Sequence, residues 1–310
     1  MLPQHCNPGR SVLDIENRQT PHRRSEANNL RSLIDLHLHS RISDGTDTPS
    51  ELVTTAARSG AELIALTDHD AVDGIEEARS TGCQLGVEII PGVELSCHTA
   101  TSNVHILGYF KTDTDPSLLK ELRHQQDLRR KRNTHLIEEL QARNLDITIE
   151  DVLKHGTGPS VGRPHFAAAL MEKGYVDSVD EAFRRYLSVG RPGISKQRGM
   201  DASQGIQLIK RAGGVAVWAH PYIGGTVADD LQPHLEELVN SGLDGIECWY
   251  GSFTPEMRKR LATIAEKKEL LITGGSDYHG KYKPGLLPAV GRGDLAIPRE
   301  CADELLSRLN

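Results

Sequence analysis

The sequence has few of the features that mark secreted or membrane proteins. No apolar run approaches the roughly 20 residues of a membrane span, and the first residues lack the apolar core of a signal peptide. The cysteines are odd in number and without C-x-x-C spacing, which suggests neither a disulfide framework nor a thiolate zinc site. They are Cys6, Cys83, Cys97, Cys248 and Cys301. We therefore expect a cytoplasmic protein that does not bind a membrane.

An excess of basic charge is also lacking, because 36 Lys and Arg residues face 43 Asp and Glu residues. This balance argues against a protein that holds nucleic acid through a wide basic face, although a local basic pocket is possible. The 310 residues are enough for one large domain or one domain with an insertion, since single cores stop growing at roughly 250–300 residues.

Short apolar runs alternate with helical signals along most of the chain. A capping box with proline at the first helical position, Thr48-Pro49-Ser50-Glu51, is typical of a helix start. Alternation of this kind predicts a parallel sheet covered by helices. The seven predicted strands are Leu33–Leu38, Leu63–Thr67, Val87–Leu95, Val104–Phe110, Val215–Ala219, Gly245–Trp249 and Leu270–Thr273.

The alternation stops once, where the sequence reads as helices only. We predict an α/β fold in which an irregular seven-stranded (β/α) barrel, residues 32–115 and 203–310, carries an inserted helical lid subdomain, residues 116–202. Residues 1–31 are polar and without apolar periodicity, and they are interpreted as a tail of unassigned role.

Histidines and carboxylates recur where the predicted strands end. Two histidines at i and i+2 of a strand, His37 and His39, project from one face and form a chelating pair. A lone strand histidine is usually a core residue, but independent core histidines have no reason to recur at one end of successive strands. The set comprises His37, His39, Asp44, His69, Glu94, His105, His220, Asp277 and His279.

Nine such side chains exceed the needs of one ion. Imidazoles with carboxylates suit manganese, zinc or iron better than magnesium, which prefers oxygen ligands. Two or three ions that share carboxylates fit the count, and clusters of this kind supply hydroxide and clamp a phosphoryl group. We expect Mn²⁺ first, with Zn²⁺ or Fe²⁺ as alternatives.

The motifs carrying these residues resemble those of the polymerase and histidinol phosphatase (PHP) superfamily, whose fold is a distorted seven-stranded barrel. They are His37-x-His39, Thr67-Asp68-His69, Pro91-Gly92-Val93-Glu94, His220-Pro221 and Ser276-Asp277-x-His279. The resemblance implies three ion sites. His37, His39, Glu94 and Asp277 would hold the first ion; Glu94, His105 and His220 the second; Asp44, His69 and His279 the third.

The insertion resembles the branch of this superfamily that contains nucleoside 3′,5′-bisphosphate phosphatases and a 5′ exoribonuclease. In that branch a segment like Ser160–Phe166 places an arginine and a histidine over the metals. Arg163 and His165 also stand at a predicted helix start, where free N–H groups favour an anion. Lys196 lies in a glycine-bounded loop and would give a further phosphate contact.

Other polar residues near the predicted site leave alternatives open. Asp68 and Asp70, together with Asp35, would orient ligand imidazoles. The run Arg129–Arg132 is interpreted mainly as a solvated helix face, with contact to a longer oligonucleotide as the alternative. One of the aromatic residues Tyr222, Trp249 and Tyr250 could stack on a base, although core packing is the more common role.

The expected function is metal-dependent hydrolysis of a nucleotide phosphoester. A hydroxide bridging the ions would attack phosphorus in line, so no single side chain is assigned as the nucleophile. The substrate would be a 3′,5′-bisphosphonucleoside, a short 5′-phosphorylated oligonucleotide, or both, and no obligate protein partner is evident. Histidinol phosphate, a cyclic phosphate and a sugar phosphate are alternative substrates, and a barrel that binds without turnover is the alternative outside enzymes.

Overall fold

The computed structural model describes residues 33–111, 115–156, 158–188, 199–223 and 231–310. The predicted tail, residues 1–31, and the predicted phosphate ligand Lys196 lie outside the described residues. None of the helices in these ranges combines the length and apolar character needed to cross a membrane.

Seven strands form a nearly closed barrel, as predicted. Their order in the sheet follows their order in the chain. The first and last strands meet through backbone hydrogen bonds from Asp277 N to His37 O, 2.9 Å, and from His39 N to Tyr278 O, 3.0 Å. The strands are β1 Leu33–Leu38, β2 Ala61–Leu66, β3 Glu88–His98, β4 Asn103–Tyr109, β6 Val215–Trp218, β7 Gly245–Tyr250 and β8 Leu271–Gly275, and a two-residue strand, β5 Met200–Asp201, adds to the edge of β3.

The prediction of an entirely parallel sheet is wrong at β4. This strand runs antiparallel to both β3 and β6. The reason is the short link between β3 and β4, residues 99–102, in which Thr99 N bonds to Ser102 O at 2.8 Å. A link of this length allows only a hairpin, because parallel neighbours need a crossover of about a dozen residues. The beginning of β4 therefore lies at the same end of the barrel as the ends of the parallel strands.

Helices cover the barrel and fill the stretch between β4 and β5. Thr48 and Glu51 form the predicted capping box at the first of them. The helices are α1 Pro49–Arg58, α2 Ile75–Leu85, α3 Pro116–Gln141, α4 Ile149–Leu153, α5 Arg163–Glu172, α6 Val179–Ala182, α7 Ala202–Arg211, α8 Gln232–Asn240, α9 Pro255–Lys267 and α10 Arg299–Leu309. A π-helical turn, Phe183–Leu187, extends α6, and a 3₁₀ turn, Gly280–Tyr282, follows the last strand.

The helices of the predicted insertion have an apolar core of their own. The second half of α3 packs with α5 through residues such as Leu136, Leu140, Phe166 and Leu170. The first half of α3 belongs to the barrel, since Leu118 and Leu122 pack into its main core. Helix α3 thus belongs to both the barrel and the insertion. The boundaries of the inserted subdomain, residues 116 and 202, stay predictions.

Candidate metal centre

The ligand-type side chains converge at one end of the barrel, where the strands β1 and β8 approach each other closely. A Cβ on Gly275 would lie 2.2 Å from the Cβ of His37, so only glycine allows this approach. His220 and Asp277 have positive φ angles of 30° and 54°. Backbone strain at non-glycine residues is typical of functional sites, where the surrounding structure holds it in place.

The carboxylate of Glu94 lies at the centre of the cluster and is 1% exposed. Its two oxygens face imidazole nitrogens that come from β1, β4 and the segments after β1, β2 and β6. Oε1 contacts His105 Nδ1 at 2.7 Å and His220 Nε2 at 2.9 Å, and Oε2 contacts His39 Nε2 at 3.0 Å, His37 Nε2 at 3.2 Å and His69 Nδ1 at 3.3 Å. One carboxylate shared in this way is suited to bridge ions.

Asp44 gathers a second set of imidazoles, beside the first. Its carboxylate lies 3.2 Å from His279 Nε2, 3.7 Å from His69 Nε2 and 3.7 Å from His39 Nδ1. His69 and His39 therefore each contact Asp44 through one ring nitrogen and Glu94 through the other. The two carboxylates and their imidazoles form one continuous cluster.

The two oxygens of Asp277 have different surroundings. Oδ1 lies within 3.3–3.6 Å of His39, His37 and His279. Oδ2 instead accepts a hydrogen bond from the Tyr250 hydroxyl, 2.6 Å, and pairs with the Lys283 ammonium. Oδ1 is thus directed at the cluster while Oδ2 is held from behind.

All nine predicted ligands are brought together, and their donor atoms form four overlapping groups within 4.8 Å. The group His39, Asp44, His69, His279 contains the third set implied by the family resemblance. His220 groups with His37 and Asp277, and His105 with Glu94 and His69, whereas the resemblance implied Glu94, His105 and His220 as one set. Glu94 contacts both His105 and His220, so the donor positions are compatible with either grouping. The division of ligands among the ions therefore stays a prediction.

The chemistry of these donors fits divalent transition metals. Burial by itself would raise the pKa of Glu94, but the adjacent His69 and His105 imidazoles lower this pKa well below its usual range. Burial lowers the pKa of His69 to about 3, against the effect of the nearby Glu94 and Asp44 carboxylates. Ionised carboxylates and neutral imidazoles are the forms that bind metals.

Nearby carboxylates favour the protonated forms of two of the imidazoles. Burial opposes a charge on His39, yet its hydrogen bonds with Asp277 and Glu94 raise its pKa to about 9. His37 likewise has a raised pKa despite its burial, because Glu247 and Glu94 lie close by. Metal binding here would release protons, and the metal affinity would increase with pH.

Three residues support the ligands through contacts that the sequence analysis does not predict. Glu247 in β7 is fully buried, bonds to His37 Nδ1 at 3.0 Å and accepts a hydrogen bond from His220 N at 2.8 Å. Tyr250 and Lys283 hold Asp277 as described. The sequence signal for Glu247 is an acidic residue inside the apolar strand run Gly245–Trp249. The sequence suggests base stacking for Tyr250, whereas its hydroxyl donates to Asp277.

Asp68 and Asp70 lie beside the cluster and bond to groups other than imidazoles, so their role in orienting imidazoles stays a prediction. Asp68 accepts hydrogen bonds from the backbone and hydroxyl groups of Ser40 and Ser43, at 2.6–3.2 Å, and so fixes the loop that presents Asp44. Asp70 accepts from Ser96 N at 2.9 Å and pairs with Arg129. The donors come from other segments of the chain: the loop after β1 for Asp68, and β3 and α3 for Asp70.

Asp35 likewise bonds to groups other than imidazoles. It accepts hydrogen bonds from the backbone N–H groups of Ser276, Ala289 and His37, at 2.7–3.2 Å. Burial raises the pKa of Asp35 to about 6, against the effect of these hydrogen bonds. Its role is to join β1 to the segment after β8, and it does not contact an imidazole.

The predicted phosphate ligands Arg163 and His165 stand at the first turn of α5. The Arg163 guanidinium donates to Leu187 O at 3.2 Å and lies 5.6 Å from the centre of the Phe183 ring. His165 Nδ1 accepts from Gly162 N at 3.0 Å, and its buried Nε2 has no hydrogen-bond partner within the described residues. A buried N–H donor is thus left at the start of a helix.

Comparison with known proteins gives a family and several relatives. The PHP domain model matches residues 35–193, more than half of the chain. A 5′-3′ exoribonuclease of Haemophilus influenzae is 33% identical over 79% of this chain and 89% of its own length. A 3′,5′-nucleoside bisphosphate phosphatase of Chromobacterium violaceum is 32% identical over 81% and 89%. A phosphoribosyl 1,2-cyclic phosphate 1,2-diphosphodiesterase of Eggerthella lenta is 34% identical over 83% and 97%.

A solved structure agrees with these relatives. The crystal structure assigned as a metal-dependent phosphoesterase of Bifidobacterium adolescentis matches with a TM-score of 0.79 and 31% identity, covering 89% of this chain and 96% of that one. The match thus includes the barrel and the described insertion together. With the convergent His, Asp and Glu side chains, these similarities show that the chain belongs to the PHP family and is a metal-dependent phosphoesterase.

Proposed function

We propose that this protein removes the 3′ phosphate of nucleoside 3′,5′-bisphosphates and trims short 5′-phosphorylated oligonucleotides. The observation that carries the proposal is the position of Arg163 and His165. They belong to the helical insertion, yet Asp44 of the cluster is near enough to affect the pKa of both. A cationic and a neutral donor therefore border a site built for phosphoryl hydrolysis.

Two of the chain's groups would act on a phosphate that is not cleaved. Arg163 offers a charge-assisted, bidentate contact, and the buried His165 ring offers a second donor at the same helix start. Burial lowers the pKa of His165, against the opposing effect of Asp44. The neutral ring keeps Nδ1 as an acceptor for Gly162 N and leaves Nε2–H for a phosphate oxygen.

The reacting phosphoryl group would lie over the histidine and carboxylate cluster. The nine residues named above would hold two or three divalent ions, for which we propose Mn²⁺, and such ions activate water and neutralise phosphoryl charge. Glu247 orients His37, and Tyr250 and Lys283 fix Asp277, so the ligands are held before substrate arrives. Burial of most of the cluster excludes bulk water, while His105, 32% exposed, marks its open side.

A cyclic phosphodiester is the second candidate substrate, since one relative of similar identity is named for that activity. The same ligand cluster can serve either reaction, so the discrimination lies in the groups around Arg163. A bisphosphonucleoside places its second phosphate across the ribose, whereas a cyclic ester presents both reacting oxygens at one phosphorus.

The test is a screen with added Mn²⁺ of adenosine 3′,5′-bisphosphate, a 5′-phosphorylated tetraribonucleotide, a ribose 1,2-cyclic phosphate and histidinol phosphate. We expect the first two to be hydrolysed with the highest kcat/KM. Asp277→Asn and added EDTA serve as controls and should abolish turnover. Preference for the cyclic ester or histidinol phosphate would overturn the substrate assignment, and no turnover of any ester would favour a binding barrel.

A further inference from the structure

Three guanidinium groups lie together at the edge of the metal cluster. The pKa of Arg132 is lowered to about 9, first by burial and then by the positive charges of Arg129 and Arg163, with Asp70 as the opposing carboxylate. Arg129 also lies close to α5, because a Cβ on Gly162 would be 3.6 Å from its Nη1. Three cations with one adjacent anion leave an excess of positive charge.

The hydrogen-bond donors of this group are only partly used. Asp70 pairs with Arg129, and the same guanidinium donates to Ser96 Oγ at 2.9 Å. Arg129 Nε is nevertheless buried without a partner, and Arg132 makes no hydrogen bond or ion pair with another residue of the described ranges. A partly buried cation without a partner is unfavourable, and a bound anion would offset that cost.

A cavity of about 230 Å³ lies beside these donors and is lined by Ser96, Leu128, Arg129 and Arg132, among others. Sites that enclose a whole small ligand usually measure about 300–1,000 Å³. This cavity is therefore suited to a phosphate group with part of its sugar. The Leu128 side chain gives an apolar wall for the sugar.

The cavity lies close to the metal cluster, because both are lined by residues of β3. Ser96 follows Glu94 by two residues on the same face of β3, which is about 7 Å along a strand. Ser96 also stands opposite His105 in the β3–β4 register. The cavity thus lies on the side where the cluster is most exposed, at a separation similar to that of successive phosphates in a nucleic acid chain.

We infer that Arg129 and Arg132 bind an internucleotide phosphate of an oligonucleotide, next to the phosphoryl group at the metal cluster. This inference rests on the proposed function and extends its substrate class beyond bisphosphonucleosides. Arg163 keeps the separate role proposed above. A mononucleotide would leave the cavity beside Arg132 empty.

The test compares Arg132→Gln with Arg130→Gln. Arg130 is the matched control because it belongs to the same helix but is 62% exposed and pairs with Asp127. Fluorescence anisotropy in the presence of Mn²⁺, with a 3′-labelled, 5′-phosphorylated tetraribonucleotide whose phosphates are replaced by slowly hydrolysed phosphorothioates, measures binding separately from turnover. We expect Arg132→Gln to weaken binding about tenfold or more and to reduce the salt slope by about one, with neither effect in Arg130→Gln.

Two further measurements decide what a loss means. With Mn²⁺, kcat/KM on adenosine 3′,5′-bisphosphate should change less than twofold in Arg132→Gln, and the Tm should rise because an unpaired charge is removed. An equal loss of kcat/KM on the bisphosphate would assign the cavity to that substrate and overturn the inference. The inference would also be overturned if Arg132→Gln bound the tetranucleotide as tightly as Arg130→Gln. If Arg132→Gln does not fold, Arg132→Met, which also removes the charge but keeps an unbranched stem, decides by the same two measurements. A wild type that binds the tetranucleotide but hydrolyses no ester would reject the proposed function alone.

Discussion

At the scale of single residues, the site depends on carboxylates that each serve more than one partner. Glu94 contacts five imidazoles, and Asp277 faces the cluster with one oxygen and Tyr250 and Lys283 with the other. Glu247 lies behind the cluster and joins the His37 ring to the backbone of His220. The orientation of the ligands is therefore set by residues that would not touch a metal ion themselves.

Replacement of Glu247 by glutamine tests this orienting role. Glutamine offers one acceptor where two donors converge, so either the His37 ring or His220 N loses its partner. We expect the affinity for Mn²⁺ to fall about 10- to 100-fold, while the fold is retained. Metal titration by calorimetry measures the effect, and Glu256→Gln on the surface is the control. Unchanged affinity would assign Glu247 to packing alone.

Arg163→Ala should impair recognition of the phosphate that is not cleaved. A charge-assisted bidentate contact contributes about 1.5–3 kcal/mol, so kcat/KM on a bisphosphonucleoside should fall about ten- to a hundredfold. A substrate without that second phosphate should be nearly unaffected. Steady-state kinetics on both substrates at saturating Mn²⁺ gives the comparison. Equal losses of kcat/KM on the two substrates would place Arg163 on the reacting phosphoryl group. No loss on either would limit its role to the contacts with Leu187 and Phe183.

Much of the residue-level site was predictable because its motifs are local. His37 and His39, or Asp277 and His279, are two residues apart, and such spacing is visible in the sequence. Glu247 was not predictable from spacing, since its contact with His37 depends on which strands become neighbours in the barrel. The sequence places Asp68 and Asp70 beside the cluster, where the structure has them. Their hydrogen-bond partners depend on loop conformations that the sequence pattern does not determine.

At the scale of elements, the β3–β4 hairpin and α3 position the open side of the site. The antiparallel β4 brings His105, the third residue of its strand, to the end where the parallel strands finish. Alternation of strands and helices predicts a parallel sheet. The antiparallel direction of β4 follows from the four-residue link between β3 and β4, which is visible only in the structure. Helix α3 lies across this side and is fixed through Gln126 Nε2 to Asp70 O, 2.9 Å, and through Arg129 to Asp70.

Asp70→Asn should loosen α3 from the barrel. The Asp70–Arg129 pair is largely buried, with side chains 4% and 11% exposed, so removal of the carboxylate should cost about 3–5 kcal/mol. Urea unfolding measures this loss, and Asp127→Asn, which removes an exposed partner of Arg130, should cost little. A loss no larger than in Asp127→Asn would contradict the anchoring role.

The pH dependence of this loss follows from the pKa of Asp70. Burial opposes its ionisation, but the Arg129 charge lowers the pKa below its usual range. The contribution is therefore fully present above the unfolded-state pKa of about 3.9 and is lost as the pH falls through the lower folded-state pKa. The difference between wild type and Asp70→Asn should be constant from pH 6 to 8 and should narrow below about pH 4.

At the scale of the whole molecule, the fold holds ionisable groups together that would repel or titrate without a cation. Metal binding to the folded state alone stabilises it by mass action, about 2.7 kcal/mol per site at a hundredfold excess over Kd. We expect Mn²⁺ to raise the Tm of the metal-free protein and to have much less effect on His37→Ala. An equal shift in both proteins would show that the ions bind elsewhere.

The central claim is that nine side chains from different strands form one site for several ions. The most direct test is elemental analysis of the metal content of the protein after production in cells grown with Mn²⁺ and dialysis. The account predicts at least two transition-metal ions per chain, since a single ion accepts about four to six donors. One ion or none per chain would contradict it.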